Sequence, residues 1–148
     1  MRIKMKKYLK VTADIEDDGT VGLTGVVSSN RFSGIGQAWF DLSEVKEFIV
    51  QLENFAKTKE NPPEIAGGNW DGDGILIDKL FSLRFYLLSN IRAGVLVELA
   101  DCPYTDCRAE EKASIYLELQ PETQEIITFC GQLKGLLTNE VSEACLEC

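Results

Sequence analysis

The strongest pattern in the sequence is a stripe of apolar side chains at helical spacing between residues 42 and 57. Its members are Val45, Phe48, Ile49, Leu52, Phe55 and Ala56. Charged side chains occupy most of the intervening positions, so one face of a helix would be buried and the other hydrated. Asp41 stands at the N-cap position with Glu44 three residues later, which predicts a capping box, and the Asn-Pro-Pro run at 61–63 prevents continuation. We therefore predict a helix over residues 42–57.

A second stripe with the same spacing lies near the end of the chain. Its members are Ile126, Phe129, Cys130, Leu133, Leu136 and Leu137. Pro121 precedes the stripe, and proline is favoured in the first turn of a helix because its missing N–H would have no intrahelical partner there. The pattern predicts a second helix that begins at Pro121.

The rest of the chain alternates between apolar and polar residues, which is typical of half-buried strands. Residues 8–15 alternate most cleanly, and Asp18-Gly19 then favours a tight hairpin turn into a second strand over 21–27. A third strand is predicted over 37–40, and further strands over 75–78, 80–88, 94–100 and 114–119. The predicted fold class is α+β in one domain over residues 1–148: an antiparallel sheet with two helices packed on one face.

The chain is acidic, with 24 acidic residues against 15 basic ones and a formal net charge of −9. Five of the basic residues lie within the first ten positions, so the remainder is more strongly negative. A negative surface repels nucleic acid and anionic membranes and accelerates the encounter with a basic protein. The sequence therefore predicts a protein partner and no nucleic-acid or membrane ligand. A charge that serves only solubility is the alternative.

The location of the protein is also predicted from sequence. No apolar run approaches the roughly 20 residues that span a bilayer. The first residues are basic, like the start of a signal peptide, but Lys6, Lys7 and Lys10 interrupt the apolar core that would follow. We predict a cytoplasmic protein. Its oligomeric state is left open.

The sequence contains no histidine. This removes Ser–His and Cys–His nucleophile pairs, imidazole zinc ligands and the most common general base. No spacing identifies two carboxylates that would face each other across a substrate, so no catalytic residue is assigned. A non-enzymatic protein is predicted, with catalysis by carboxylates as a third hypothesis after the two described below.

Four of the five cysteines occur as two close pairs, Cys102 with Cys107 and Cys145 with Cys148. Four thiolates could hold one zinc ion, which would fix the C-terminal tail against the Cys102 loop. We predict free thiols, with Cys130 as a core thiol on the second helix; a metal site or a disulfide within this set is the alternative. No other cofactor is predicted. A small metal- or redox-responsive domain that uses these four residues is one functional hypothesis.

Two further segments contain residues that often bind ligands. Trp39, Phe40 and Trp70 are predicted to pack in the core or a hairpin, since large aromatic residues contribute most of their energy through buried area. Residues 67–74 resemble the start of an EF-hand calcium loop, but Leu80 stands where that loop requires a glutamate. This segment is predicted to be a hairpin tip.

One ordered set of residues resembles a known layout: Gly36-Gln37-Ala38-Trp39-Phe40, Phe48, Leu52, Leu83, Phe85, Gly94-Val95-Leu96-Val97, Phe129 and Leu133. In this order they resemble small bacterial immunity-type proteins of the WapI-associated kind. The resemblance covers most of the chain without a diagnostic motif, and the Cys102 to Cys107 loop and the Cys145/Cys148 tail depart from it. It implies a non-enzymatic protein that binds and neutralises a toxin domain. An acidic surface would suit a basic nuclease toxin.

Overall fold

A computed structural model describes residues 7–148, so the first six residues of the basic N-terminal segment lie outside the described part. In chain order the elements are β1 (Tyr8–Ile15), β2 (Thr20–Ser29), β3 (Phe32–Asp41), α1 (Leu42–Thr58), β4 (Glu64–Trp70), β5 (Leu76–Leu87), β6 (Ala93–Asp101), a 3-10 helix (Ala109–Glu111), β7 (Ala113–Leu119), α2 (Thr123–Leu137) and β8 (Ala144–Glu147). These elements confirm the predicted α+β class. No helix within residues 7–148 has both the length and the apolar character needed to span a membrane.

The strands form two four-stranded antiparallel sheets instead of the single sheet that the sequence predicts. The first sheet has the order β3-β2-β1-β8 and the second has the order β4-β5-β6-β7. Alternation along a strand shows which side chains share a face, but it does not show which strand lies alongside. Neither β4 nor β8 was predicted, because Gly67 and Gly68 interrupt the pattern of β4 and β8 is only four residues long.

The backbone of β3 lies directly against the second sheet at Gly36. A Cβ atom at this position would lie 2.5 Å from the carbonyl oxygen of Leu80 and 3.0 Å from the amide nitrogen of Ala100. Only glycine allows so close an approach of two backbones. β3 therefore packs across β5 and β6 and does not extend their sheet. At this contact the first sheet packs face to face on the second.

The two sheets and both helices share one buried apolar cluster. Phe81 of β5 joins the sheets: its ring packs edge-on against Phe40 of β3, with the ring centroids 5.8 Å apart. Phe48 of α1 packs against Phe85 of β5 with a centroid separation of 6.1 Å. The apolar stripe predicted for the first helix is fully buried, so the helical pattern correctly identified its core face.

The start of α1 differs from the prediction in one respect. Asp41 is the N-cap residue, as predicted, but its side chain makes no capping hydrogen bond. The carboxyl group of Glu44 does reach back to the backbone of Asp41, so only half of the predicted capping box forms. The carboxylate of Asp41 is therefore exposed and not engaged by the helix.

α2 begins two residues later than predicted. Pro121 lies in the short connection between β7 and α2, where its carbonyl oxygen accepts a hydrogen bond from the amide of Ala93 at 2.9 Å. A complete capping box forms here instead: Glu122 is the N-cap residue, and the carboxylate of Glu125 accepts from its amide at 3.0 Å. α2 packs against α1, β1 and β8, and β8 adds to the edge of the first sheet beside β1.

Candidate functional site

Trp39 and Trp70 lie at the surface, each on a strand of a hairpin, so neither packs in the core, which was one of the two predicted positions. Trp39 exposes 47% of its surface and Trp70 exposes 51%. Phe40 is buried, as predicted. The chain contains only these two tryptophans, and both line one open cleft of about 490 Å³.

The orientation of Trp39 follows from the alternation of β3. Ala38 and Phe40 point into the core, so the residue between them points to solvent. The cross-strand partner of Trp39 is Gly22, and the indole lies over this glycine, because a Cβ atom built there would be 3.2 Å from the ring. A larger residue at position 22 would displace the indole. Because Gly22 has no side chain, the indole of Trp39 can pack directly against the backbone of β2.

Carboxylates surround the two tryptophans. The cleft is lined by Thr20, Trp39, Phe40, Asp41, Glu44 and Trp70. A second open depression of about 610 Å³ continues past Trp39 and is lined by Glu16, Asp17, Asp18, Thr20 and Trp39. Among the described residues, no lysine or arginine lines either depression. We define the tryptophan–carboxylate surface as Glu16, Asp17, Asp18, Trp39, Asp41, Glu44 and Trp70.

The negative charges of this surface are not neutralised within the described chain. None of the ion pairs formed by residues 7–148 includes a carboxylate of the tryptophan–carboxylate surface. Partial burial raises the pKa of Glu44 above its ordinary value, and the nearby charge of Asp41 adds to this effect. Asp18 differs, because hydrogen bonds from the hydroxyl and amide of Thr20 lower its pKa. The surface therefore concentrates negative charge beside two indole rings.

This arrangement offers two kinds of contact to a cationic side chain. Carboxylates accept charge-assisted hydrogen bonds from arginine and lysine, and the faces of indole rings attract the same cations. Both depressions are open, whereas sites for small molecules enclose most of their ligand. The geometry therefore suits side chains presented by a macromolecule.

The predicted zinc ligands lie in two separate places. Cys102 and Cys107 meet in the loop between β6 and β7, with their Sγ atoms 2.6 Å apart. Cys145 lies on β8 in the other sheet, and Cys148 follows the end of that strand. Among the described residues, Asp78, Cys102 and Cys107 form a group of possible metal ligands. Their ligand atoms lie within 4.8 Å of one another, close enough to share an ion. The four predicted cysteines are therefore not gathered into one such group.

Asp78 of β5 lies in the group with Cys102 and Cys107, and it was not predicted as a site residue. It is 4% exposed, and its Oδ2 accepts hydrogen bonds from the side-chain amide of Asn69 at 2.8 Å and the backbone amide of Asp106 at 2.7 Å. These hydrogen bonds lower its pKa. Asp78 lies 24 residues before Cys102, and no sequence pattern links these two residues. The pairing of β5 with β6 brings them together.

Burial sets the protonation of two cysteines in different parts of the fold. Desolvation raises the pKa of Cys102 to about 12, and the Cys107 thiol and the negative charge of Asp78 act in the same direction. Cys130 is a buried thiol on α2, as predicted, and burial likewise raises its pKa to about 12. Both side chains are therefore neutral thiols near pH 7 in the reduced protein.

The second half of the segment that resembles a calcium loop, residues 71–74, lies in the hairpin tip between β4 and β5, as predicted, whereas residues 67–70 form the end of β4. The Oδ1 atom of Asp71 accepts hydrogen bonds from the amides of Asp73 and Ile75 at 2.8 and 2.9 Å. This carboxylate therefore closes the turn, as aspartate commonly does.

No protein-family model, curated protein or solved structure matches this chain. The resemblance in layout to immunity-type proteins stays a prediction.

Proposed function

We propose that this protein binds a basic protein partner through the tryptophan–carboxylate surface and masks the part of the partner that docks there. The observation that carries the proposal is the pair of half-exposed tryptophans surrounded by five carboxylates with no described basic residue in the lining. Tryptophan is enriched among the residues that dominate binding energy at protein interfaces. A toxin domain with a basic surface is the partner class implied by the layout resemblance.

Charge and aromatic area contribute to such binding in different ways. The carboxylates steer the encounter with a positive surface, and their effect falls as salt screens them. The tryptophans supply affinity, because burying a large aromatic side chain at the centre of an interface removes apolar area from water. Asp41 is free to take part, because its side chain does not cap α1.

Replacing Trp39 with alanine should weaken partner binding roughly 10- to 100-fold, which corresponds to about 1.4 to 2.7 kcal/mol. Trp70→Ala should have an effect of the same order, because both indoles line the cleft. The partner is first captured from a host lysate on the wild-type chain at low salt, then identified and purified. Isothermal titration calorimetry with purified wild-type and variant proteins then gives the dissociation constants.

Tyr116→Ala is the matched control for this experiment. Tyr116 is also an exposed aromatic residue, at 66%, but it lies on β7, at the opposite edge of the second sheet from Trp70 on β4, and lines neither depression, so its removal should leave the affinity unchanged. Labelling this chain with 5-fluorotryptophan adds a direct readout, since its two ¹⁹F signals arise from Trp39 and Trp70 and both should shift on binding. Unchanged signals, or an affinity that tolerates both tryptophan substitutions, would refute the proposed surface.

The affinity should also fall as the pH is lowered through the titration range of Glu44. Burial and the charge of Asp41 raise the pKa of Glu44 in the unbound protein, so it takes up a proton at a higher pH than an ordinary glutamate. A docked cation favours the ionised carboxylate, so complex formation should release a proton in this range. Calorimetry between about pH 4 and 7, in buffers of different ionisation enthalpy, measures that release. Glu44→Gln should reduce the number of protons released on binding. Equal proton release from the variant and the wild type would show that Glu44 does not contact the partner.

A further inference from the structure

The Sγ atoms of Cys102 and Cys107 are 2.6 Å apart. A disulfide bond holds two sulfurs about 2.05 Å apart. Two thiolates on one tetrahedral zinc ion lie roughly 3.8 Å apart, because each Zn–S bond is about 2.3 Å long. The observed separation is closer to the first value. The two sulfurs are therefore close enough to bond to each other.

The loop that carries the two cysteines is both accessible and anchored. Its four intervening residues, 103–106, are exposed, and each cysteine is half-buried, so a small reagent can reach them. Asp106 adopts a left-handed backbone conformation with φ of 60°, and its amide donates to the buried Asp78 carboxylate at 2.7 Å. This hydrogen bond fixes the loop on β5. The anchored loop therefore keeps the two Sγ atoms next to each other.

We propose that Cys102 and Cys107 form a redox modification site that a small-molecule disulfide converts into an intrachain disulfide. One cysteine sulfur attacks the small disulfide, whose S–S bond breaks; a mixed disulfide forms and one small thiol leaves. The second cysteine sulfur then attacks the protein sulfur of that mixed disulfide, and a second small thiol leaves. The two protons of the protein thiols pass to the two leaving thiolates. The protein pair loses two electrons and the small disulfide gains them.

The proposed reaction is independent of the partner-binding surface and can be tested without a partner. The full-length protein is incubated with oxidised glutathione, alkylated under denaturing conditions and analysed by intact mass and peptide mapping. We expect two of its five thiols to be lost, with a peptide that links Cys102 to Cys107 and carries no glutathione. The double variant Cys145→Ser/Cys148→Ser is the matched control, because it removes the other close pair, and it should still form the link. In Cys102→Ser, the remaining Cys107 should retain glutathione as a mixed disulfide.

Two results would overturn the proposal. One is glutathione retained on both Cys102 and Cys107 of the wild type with no link between them. The other is a reduced protein that binds one equivalent of added zinc, loses it on Cys107→Ser substitution, and resists glutathione while zinc is present; this result would assign a metal site. Serine is close to cysteine in size, and circular dichroism checks that the variants fold. If a variant does not fold, the wild-type peptide map alone decides whether the link forms.

Discussion

Replacing Gly68 with alanine should lower the free energy of unfolding by about 3 kcal/mol or more. A Cβ atom at this position would lie 1.8 Å from the carbonyl oxygen of Asp78 and 2.9 Å from the amide nitrogen of Leu80. Both atoms belong to the backbone of β5, which is paired with β4 at this point and cannot turn away as a flexible side chain could. The pairing of β4 with β5 also shifts register at this point, between Gly67 and Gly68. A bulge of this kind depends on glycine because the two backbones approach each other closely.

Gly131→Ala provides the control for this substitution. Nothing lies within 4 Å of a Cβ atom built at Gly131, and the residue lies within α2. Alanine is favoured over glycine in a helix by about 1 kcal/mol, so this variant should be slightly more stable than the wild type. Urea denaturation followed by circular dichroism measures both changes. A Gly68→Ala variant that unfolds at the wild-type midpoint would show that β4 and β5 do not approach as closely as described.

Replacing Phe81 with alanine should lower the free energy of unfolding by about 3 to 5 kcal/mol. Its ring is fully buried between the two sheets, where it contacts Phe40 and lies against Gly25. Removing the ring leaves a cavity that the stacked sheets cannot close, because their separation is also set by the backbone contact at Gly36. The loss therefore includes both the buried apolar area and the cavity.

Phe32→Ala tests whether burial, rather than residue type, causes this effect. Phe32 is 72% exposed at the start of β3, so its substitution should change stability by less than about 0.5 kcal/mol. The two variants remove the same atoms, and their difference in urea midpoint reports the difference in environment. Equal destabilisation by both substitutions would contradict the sheet packing around Phe81.

The proposed binding surface depends on this core. Trp39 and Asp41 flank Phe40 in β3, and Phe40 packs against Phe81. Trp70 ends β4, and its neighbour Asn69 is hydrogen-bonded to Asp78 at 2.8 Å. The two tryptophans therefore come from strands of different sheets, and their common cleft exists only when the sheets are stacked. This is why neither residue could be assigned to a shared site from its position in the chain.

One of the two positions predicted for Trp39 could have been excluded from the sequence. The prediction for Trp39 relied on its residue type, although the alternation of β3, with Ala38 and Phe40 on the core side, already indicated that Trp39 faces solvent. No comparable pattern was present for Trp70, because it lies at the end of a strand that contains two adjacent glycines. A residue at a strand end is exposed or buried according to what packs beside it.

The sequence by itself determined the two helices, their buried faces, the hairpin of β1 and β2, and the acidic character of the surface. These properties depend on residues close together in the chain, so periodicity and composition are sufficient to read them. The tertiary structure alone decided the division into two sheets, the pairing of β8 with β1, the meeting of Asp78 with Cys102 and Cys107, and the cleft between Trp39 and Trp70. Each of these joins residues far apart in the chain, and such pairs are selected by the packing of the whole core rather than by any local pattern.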